Sequence, residues 1–429
     1  MKALFLHSIF AVTVCLLTNV PQTQAAQTGM NDRAVLQELR QMIEKQQAQI
    51  DRQAAEIQDL KSRLVPRQGT AEEEIATDSR KAQKEEIPPA VQSADTGAKV
   101  VFYGQVNRAG LWADNGDSSN LYFVDNDNSS SRLGINATAS YKKLTIGGKI
   151  EYQLESNSSN LVSSRDENPN NDLSIRHADA SISADNFGKF SFGRGSSATE
   201  GISEMDLSGT HVVSQSAVYD MAGGQLFYDD AQNILTSTAV GDVFTNMDGL
   251  SRLDRFRYDT PVLAGITVSA GINEDDAYDL ATRYSRDYGG VKVSAGLGWV
   301  NIDDSPTYDN QYSGSVSILH DSGFNLSLAG GLRQAKQSGR DDPSFWYTKL
   351  GYILNAFSVG SSAFSVDYFM GEDIAANDDE ASSMALAYVQ NFDDWGTELY
   401  LAYRFHQLDR DGTDFNDISA VMSGARVKF

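Results

Sequence analysis

Residues able to act as nucleophiles or general bases are scarce in this chain of 429 residues. It holds one cysteine, Cys15, and five histidines, of which His177, His211, His320 and His406 lie beyond residue 25. None of these histidines sits in a recognisable arrangement with a serine, which nucleophilic hydrolysis needs. A single cysteine also excludes a disulfide framework and any Cys-x-x-Cys site. The sequence therefore argues against an enzyme.

Oxygen-rich segments are the other candidates for chemistry. Asp409–Asp414 and Asp125–Asp127 place carboxylates close together, and carboxylate oxygens suit a hard cation such as calcium. Their spacing does not match a twelve-residue calcium loop, so ordinary turns are the preferred interpretation. Gly193-Arg194-Gly195 lacks the rest of a phosphate-binding loop. We expect neither a metal nor a cofactor.

The overall charge narrows the class of partner. The chain carries 58 acidic and 35 basic side chains, for a net charge of −23. Nucleic-acid binding calls for a basic face, so this balance argues against a nucleic-acid partner. With 35 glycines, 8 prolines and 10% aromatic residues, the composition does not indicate a disordered acidic chain.

Residues 1–25 read as a secretory signal peptide. Lys2 gives the positive start, Leu4–Leu17 the apolar stretch, and the segment ends in small residues that favour cleavage near Ala25. A membrane anchor is the rival interpretation, but the apolar run is short and polar residues follow it. Beyond residue 25 no stretch of 18 apolar residues exists, so we expect no membrane-spanning helix.

Residues 26–65 contain a heptad pattern that runs from Asn31 to Leu64 without glycine or proline and is followed by Pro66. Apolar a and d positions predict a coiled coil, and its number of strands stays open. A single amphipathic helix lying on another surface is the alternative. Residues 66–98 lose all periodicity and predict a flexible linker. The expected coiled-coil core consists of Leu36, Leu39, Ile43, Ile50, Ile57, Leu60 and Leu64.

From residue 99 to the end, apolar and polar residues alternate with period two, which is the signature of strands with one apolar face. Leu399, Leu401 and Tyr403, for example, alternate with Tyr400 and Arg404. The pattern predicts an all-β domain over residues 99–429. Its sixteen expected strands are 100–111, 131–140, 143–155, 172–184, 189–195, 252–259, 264–273, 278–287, 291–301, 310–320, 323–335, 344–353, 362–370, 380–390, 396–407 and 418–429.

The connections between these strands alternate between short turns and long polar loops. That alternation, with an even number of strands, is typical of an antiparallel transmembrane β-barrel. A soluble β-sandwich would show the same period, but it rarely runs through sixteen hairpin-linked strands. In lipid the sheet must close, because an open sheet would leave unpaired edges. Sixteen strands enclose an aqueous lumen. We therefore expect apolar side chains to face lipid and polar ones to line water.

Several segments of this barrel region resemble the Gram-negative trimeric porins. They are Phe102–Ala109, Ser131–Gly134, Gly188–Arg194, Arg255–Pro261 and the terminal Phe429. The resemblance implies a homotrimer of sixteen-stranded barrels in the outer membrane, each with its own pore. It also implies that Phe429 is recognised by the barrel-assembly machinery. A coiled coil on the periplasmic side occurs only in some porin subfamilies.

The resemblance further implies that the long connection from 195 to 251 folds into the lumen and narrows it. Its acidic side chains are then expected to face a basic wall. Strand parity adds further lumen candidates, although Arg108 and Arg194 share parity with apolar neighbours, which a bulge at Gly193 or a subunit interface would explain. The acids are Glu200, Glu204 and Asp206, the wall is Arg132, Arg176 and Arg194, and the further candidates are Lys149, Arg255, Arg333, Arg404 and Arg426.

These features predict a porin for passive diffusion of small hydrophilic solutes. Residues 100–429 carry 45 acidic and 23 basic side chains, a net charge of −22. Because many of the acids lie in exposed loops, we hypothesise a modest cation preference. The alternatives are a substrate-specific channel for dicarboxylates or phosphate-like anions, and a structural tether between the outer membrane and the peptidoglycan cell wall through the N-terminal helix.

Overall fold

The computed structural model describes residues 90–92, 97–169, 173–274, 276–301, 305 and 307–429. All described residues belong to one compact unit, Glu85–Phe429. The predicted signal peptide, the coiled coil and most of the predicted linker lie outside the described residues.

Alternating sequences in this part of the chain form antiparallel strands. The short helical segments are α1 (Val240–Val243) and three 3₁₀ turns. The strands are β1 (Ala90–Gln92), β2 (Lys99–Asp114), β3 (Ser119–Asp125), β4 (Arg132–Tyr141), β5 (Leu144–Leu154), β6 (Leu173–Ala184), β7 (Gly188–Ser196), β8 (Leu226–Asp229), β9 (Ile234–Ala239), β10 (Arg252–Asp259), β11 (Ile266–Asn273), β12 (Tyr278–Asp287), β13 (Val291–Asn301), β14 (Tyr308–His320), β15 (Phe324–Ala335), β16 (Ser344–Phe357), β17 (Gly360–Glu372), β18 (Glu380–Phe392), β19 (Thr397–Asp409) and β20 (Ile418–Lys428).

The sheet closes because β2 pairs on both edges. One edge pairs with β4 and then β3, and the other pairs with β20 from Gln105 to Asp114. β3 and β4 are two parts of one barrel strand, interrupted at residues 126–131. Antiparallel pairing then runs from β4 through β7 to β10 and on to β20. The result is the closed sixteen-stranded barrel that the alternation predicted.

For three strands, β10, β12 and β13, both ends agree with the prediction. Other strands fall where none was expected. β8 and β9 pair with each other inside the long connection, and β3 lies in a segment predicted to be loop. β1 lies inside the predicted linker, where Ala90 pairs with Val101 of β2. The described residues contain no helix that is long and apolar enough to cross a membrane.

Large apolar side chains cover the outer face of the barrel. Trp346, Leu350, Leu399 and Leu401 are 44–58% exposed, although they alternate with buried neighbours. Aromatic pairs join adjacent strands on this face, for example Trp346 with Tyr368 at 5.2 Å between ring centroids. This face is the one expected to meet lipid.

The inner face differs from the prediction on one side of the barrel. There it carries many buried apolar side chains among the polar ones, and the connection between β7 and β10 packs on it. We call this connection, residues 197–251, the third loop. We call this side, formed by β12–β20 with β2 and β3, the covered wall, and the side formed by β4–β7, β10 and β11 the open wall. The third loop buries Val212, Val213, Met221, Phe227, Val240, Val243, Phe244 and Met247 against Leu111, Val124, Phe345, Phe369, Val389, Leu408, Ile418 and Met422.

Candidate functional site

The third loop lies inside the barrel, as the resemblance implies. Near its start the Thr199 amide donates to Asp279 of β12 at 2.7 Å. The amides of Met205 and Leu207 donate to serine hydroxyls of β14 at 3.0 and 2.9 Å. Further on, the Val212 carbonyl accepts from Asn126 at 2.8 Å. Backbone groups of the loop thus bond to inward side chains, which places the loop across the lumen.

Arginines converge beside this loop, at the interruption between β3 and β4. The interruption turns inward and buries Ser129, whose hydroxyl accepts from Arg132 at 3.1 Å and from Arg426 at 2.7 Å. Gln105 also donates to the same hydroxyl, at 2.9 Å. Arg426 is paired with Glu398, whereas Arg132 has no carboxylate within ion-pair distance among the described residues. Two guanidinium groups therefore share one neutral acceptor.

Arg176 joins this cluster because of a β-bulge. The register between β5 and β6 shifts between Glu151 and Tyr152, so Arg176 is the extra residue of β6. A bulge re-aims a side chain, and here Arg176 points inward beside its neighbour His177. Its Nε donates to Glu151 at 2.8 Å, and it also bonds to Gln153, the cross-strand partner of Arg132. Arg132, Arg176 and Arg426 form the basic cluster of the lumen.

The predicted acids do not form a row opposite this cluster. Glu200 pairs with Arg252, which was not predicted. Glu204 accepts from Asn246 within the third loop at 2.9 Å. Asp206 is buried against the covered wall, where its carboxylate lies 2.7 Å from Nζ of Lys349. The expected arrangement of three acids facing three arginines is therefore wrong, because Glu204 bonds within the loop and Asp206 pairs with a lysine of the covered wall.

The placement of Arg194 in the basic wall is also wrong. Arg194 keeps the parity of the exposed Phe190 and Phe192, and pairing through Gly193 is regular with both β6 and β10, so no bulge turns it inward. Its guanidinium lies 3.9 Å from Glu274. Arg108 likewise stays on the outer side, where it donates to the Ser156 carbonyl at 2.8 Å.

The further lumen candidates divide between the two walls. Lys149 and Arg255 line a polar cavity of about 460 Å³ on the open wall. Arg333 faces inward on β15, where its Nε donates to Gln311 at 2.6 Å. Arg404 also points inward, but it is 1% exposed and held by Asp367 at 2.9 Å beneath the third loop. It therefore does not line water.

Four basic and two acidic side chains line the cavity of the open wall. Two of the arginines are paired there, Arg255 with Asp179 and Arg257 with Asp259, each at 2.7 Å. Lys149 lies 3.4 Å from the Glu151 carboxylate, and Lys189 adds a further positive charge to the lining. The cavity is thus a water-accessible, basic part of the lumen.

Sequence reasoning missed Lys349 of β16. This lysine is fully buried, and its ammonium makes four hydrogen bonds to oxygens of the third loop. Strand parity was a usable signal, since Lys349 alternates with the outward Leu350. Glu151, which holds both Arg176 and Lys149, was marked by the same parity.

The pKa values of two carboxylates in the third loop are raised. Burial raises the pKa of Asp220 to about 7, against the opposing effect of a hydrogen bond from Gln215. Burial likewise raises the pKa of Asp248 to about 6, although the amides of Ser203 and Gly201 donate to it. These groups lose negative charge at mildly acidic pH, whereas arginine side chains keep their positive charge.

The chain terminus completes the closure of the barrel. Backbone bonds at 2.9 and 3.0 Å join Gly104 of β2 with Phe429. A Cβ at position 104 would come within 2.7 Å of the Phe429 ring, so glycine is needed for this close approach. The predicted assembly signal therefore lies at the seam between the first and last barrel strands.

A closed sixteen-stranded barrel with a polar lumen narrowed by an internal loop defines a channel protein. Residues 88–411 of the chain match the protein family described as Gram-negative porin. The chain belongs to this family, and it is an outer-membrane porin. Family and fold are those of a channel and not of an enzyme.

Solved structures of low sequence identity share the fold. An anion-selective porin from Comamonas acidovorans is 17% identical, with a TM-score of 0.53 over 77% of this chain and 100% of that one. OmpT of Vibrio cholerae in its trimer form is 16% identical, with a TM-score of 0.52 over 77% and 99%. The channel DcaP of Acinetobacter baumannii is 15% identical, with a TM-score of 0.50 over 78% and 99%. No curated protein sequence matches the chain.

Proposed function

We propose that this porin lets small hydrophilic solutes diffuse passively along its open wall and that it favours anions over cations. The observation that carries the preference is the basic lining of the remaining lumen. Four basic and two acidic side chains surround its cavity, and Arg132 stands next to it without a carboxylate partner among the described residues. The lining supports the reverse of the cation preference that the net charge of −22 suggested.

Local charge outweighs total charge because of screening. At physiological salt, exposed charges separated by more than about 8 Å interact weakly. The loop acids at the mouth, such as Asp411 and Asp417, therefore act on ions before entry. A cleft lined by one sign of charge raises the local concentration of the opposite ion, so the narrow region decides selectivity. One of the solved structures with this fold is described as an anion-selective porin.

A substrate-specific channel for small doubly charged anions is the second candidate. It is favoured by the convergence of Arg132 and Arg426 on the Ser129 hydroxyl. Paired guanidinium groups are well suited to carboxylate or phosphate oxygens. Saturable uptake or block of the current by one dianion, at concentrations where chloride has no such effect, supports the specific channel over general diffusion.

Reversal potentials in a potassium chloride gradient test the anion preference. We expect the purified protein in planar bilayers to favour chloride, and Arg132→Gln to reduce that preference. Arg194→Gln removes the same charge from the outer face and serves as the matched control with unchanged selectivity. A wild-type channel that favours potassium contradicts the proposal, even if conductance is normal.

The assembly and surroundings of the barrel are further parts of the proposal. The apolar outer face supports contact with outer-membrane lipid, and the seam at Phe429 supports recognition by the barrel-assembly machinery. A homotrimer is supported by the trimeric form of OmpT, which shares the fold. The predicted periplasmic coiled coil would then join three chains and reach peptidoglycan. Deletion of residues 26–98 is expected to leave conductance intact and to weaken attachment to the cell wall.

A further inference from the structure

Lys349 of β16 is enclosed by one bend of the third loop. Its side chain has no solvent exposure, and its Nζ lies 2.7 Å from the Asp206 carboxylate, 3.2 Å from the Thr210 hydroxyl and 3.3 Å from the Ser208 hydroxyl. It also donates to the Ser214 carbonyl. All four acceptors belong to residues 206–214. The ammonium therefore holds this bend, which we name the clasp segment, against the covered wall.

A second buried ion pair is joined to the first through Ser214. The Ser214 hydroxyl donates to Asp367 of β17. Arg404 of β19 holds the same carboxylate at 3.0 and 2.9 Å and donates to Ser383 as well. The wall side of this network, Asp367 and Arg404, is at most 1% exposed. The clasp segment is thus bonded directly to β16 and β17, and Arg404 extends the network to β19.

The ties between the third loop and the barrel strands include both charged and neutral groups. In the described part of the chain, two ion pairs join the loop to barrel strands, Glu200 with Arg252 at its start and Asp206 with Lys349 in its middle. Between them, the contacts of residues 205–207 with β14 are hydrogen bonds to neutral serine hydroxyls. Removing one member of a buried ion pair leaves an uncompensated charge, whereas losing a neutral hydrogen bond costs far less.

We propose that Lys349 is the positioning residue that keeps the pore open, because it holds the clasp segment on the covered wall and out of the water-filled side. The inference rests on the channel function and is independent of its anion preference. Without the ammonium, Asp206 draws water into the contact and the clasp segment leaves the wall. The open wall lies across the lumen, so a released segment narrows the path of the ions.

Single-channel recording of Lys349→Met tests this role. Methionine keeps an unbranched apolar side chain and removes the charge. We expect the channel to spend roughly tenfold more time in closed or reduced-conductance states, since a buried tie shifts the population of its bound state by at least that factor. Lys143→Met makes the same change on the exposed turn between β4 and β5 and is expected to leave the closures at the wild-type level.

Two further variants separate positioning from folding. Lys349→Met with Asp206→Asn removes the unpaired carboxylate, so the barrel is expected to assemble normally while the frequent closures remain. Thr210→Cys with Ser365→Cys, added to Lys349→Met, places two thiols where the hydroxyl oxygens are 2.8 Å apart. A disulfide between these positions would fix the clasp segment to β17. Oxidation is expected to restore a quiet channel, and reduction to bring the closures back.

The outcomes either support or overturn the role of Lys349. Quiet channels of wild-type conductance in both Lys349→Met and its double variant with Asp206→Asn overturn it. Closures that do not respond to oxidation and reduction of the cysteine pair also overturn it. If selectivity proves cationic while these closures appear, the proposed anion preference fails and the positioning role stands.

Discussion

The covered and open walls belong to one sheet but use their inner faces differently. On the covered wall, Phe345, Phe369 and Met422 face inward and are less than 5% exposed, because the third loop packs on them. On the open wall, Lys149 and Arg257 face inward around a cavity. The first surface is a hydrophobic core and the second is the lining of a channel. A single barrel thus holds a packed domain interior and a water path side by side.

The difference shows what a long internal loop needs in order to stay in place. Apolar burial contributes about 25 cal/mol per Å², and both apolar clusters of the covered wall include side chains of the third loop. Buried ion pairs add direction rather than net energy, because their desolvation offsets their attraction. The open wall is not packed against the loop in this way, so its charges stay in water. The loop therefore selects one side of the lumen and leaves the other free.

Truncation of a core aromatic side chain should show most clearly that the two walls contribute differently to stability. Phe369 is fully buried and contacts Phe345 and Phe244, with ring centroids 5.4 and 5.5 Å away. Phe369→Ala is expected to lower the free energy of unfolding by about 3–5 kcal/mol, since it leaves a cavity. Urea unfolding in detergent micelles measures the change. Asn136→Ala on the open wall is the control, and an equal loss there would mean that the covered wall is not the core.

Breaking the buried ion pair of the covered wall should have the next largest effect. Asp367→Asn keeps the shape of the side chain but leaves Arg404 without its carboxylate, with an expected loss of about 3 kcal/mol. Asp259→Asn breaks the pair with Arg257 on the open wall, where both side chains are 17–18% exposed, and should cost about 1 kcal/mol or less. The same unfolding measurement compares them. Similar losses at the two sites would contradict the difference in solvation between the walls.

The two walls also differ in how far the sequence predicts them. Alternation predicted the bounds of β10, β12 and β13, since one apolar and one polar face mark a strand directly. It did not show that Phe345 and Phe369 face inward, because apolar residues on both faces remove the contrast that parity needs. Parity marks Lys349 as facing inward, but it cannot show that the lysine is buried, because the partners in the third loop lie 135 to 143 residues away.

For the basic cluster, local pattern and resemblance gave different answers. Parity placed Arg194 with Phe190 and Phe192, and the structure agrees with parity. The resemblance placed it in the basic wall, which proved wrong. Arg176 lies at the bulge of β6, where both it and the adjacent His177 point inward. A bulge changes parity by one residue, and its position depends on cross-strand pairing that a single strand does not reveal.

Acidification should sharpen the charge difference between the loop and the open wall. The raised pKa values of Asp220 and Asp248, about 7 and about 6, mean that both carboxylates lose their charge as the pH falls from roughly 8 to roughly 5. The arginines stay charged, so the lumen becomes more positive. Reversal potentials are expected to move toward the chloride value as pH falls.

Asp220→Asn with Asp248→Asn provides the control for this shift. The double variant should already have the low-pH selectivity at the alkaline end of that range and should change less on acidification. A wild-type channel whose selectivity is the same at both ends would show that the loop carboxylates do not act on the ion path.

The smallest expected effect concerns Lys189, beside the turn between β6 and β7 on the open wall. Its side chain is exposed and lines the cavity, so Lys189→Met should reduce the anion preference less than Arg132→Gln does. Screening gives the distinguishing measurement, because the Debye length falls from about 10 Å in 0.1 M salt to about 3 Å in 1 M salt. The effect of Lys189→Met should therefore vanish in the concentrated salt, while that of the more enclosed Arg132 persists. If both effects vanish together, Arg132 is as well solvated as Lys189, and the narrow part of the open wall does not control the passage of ions.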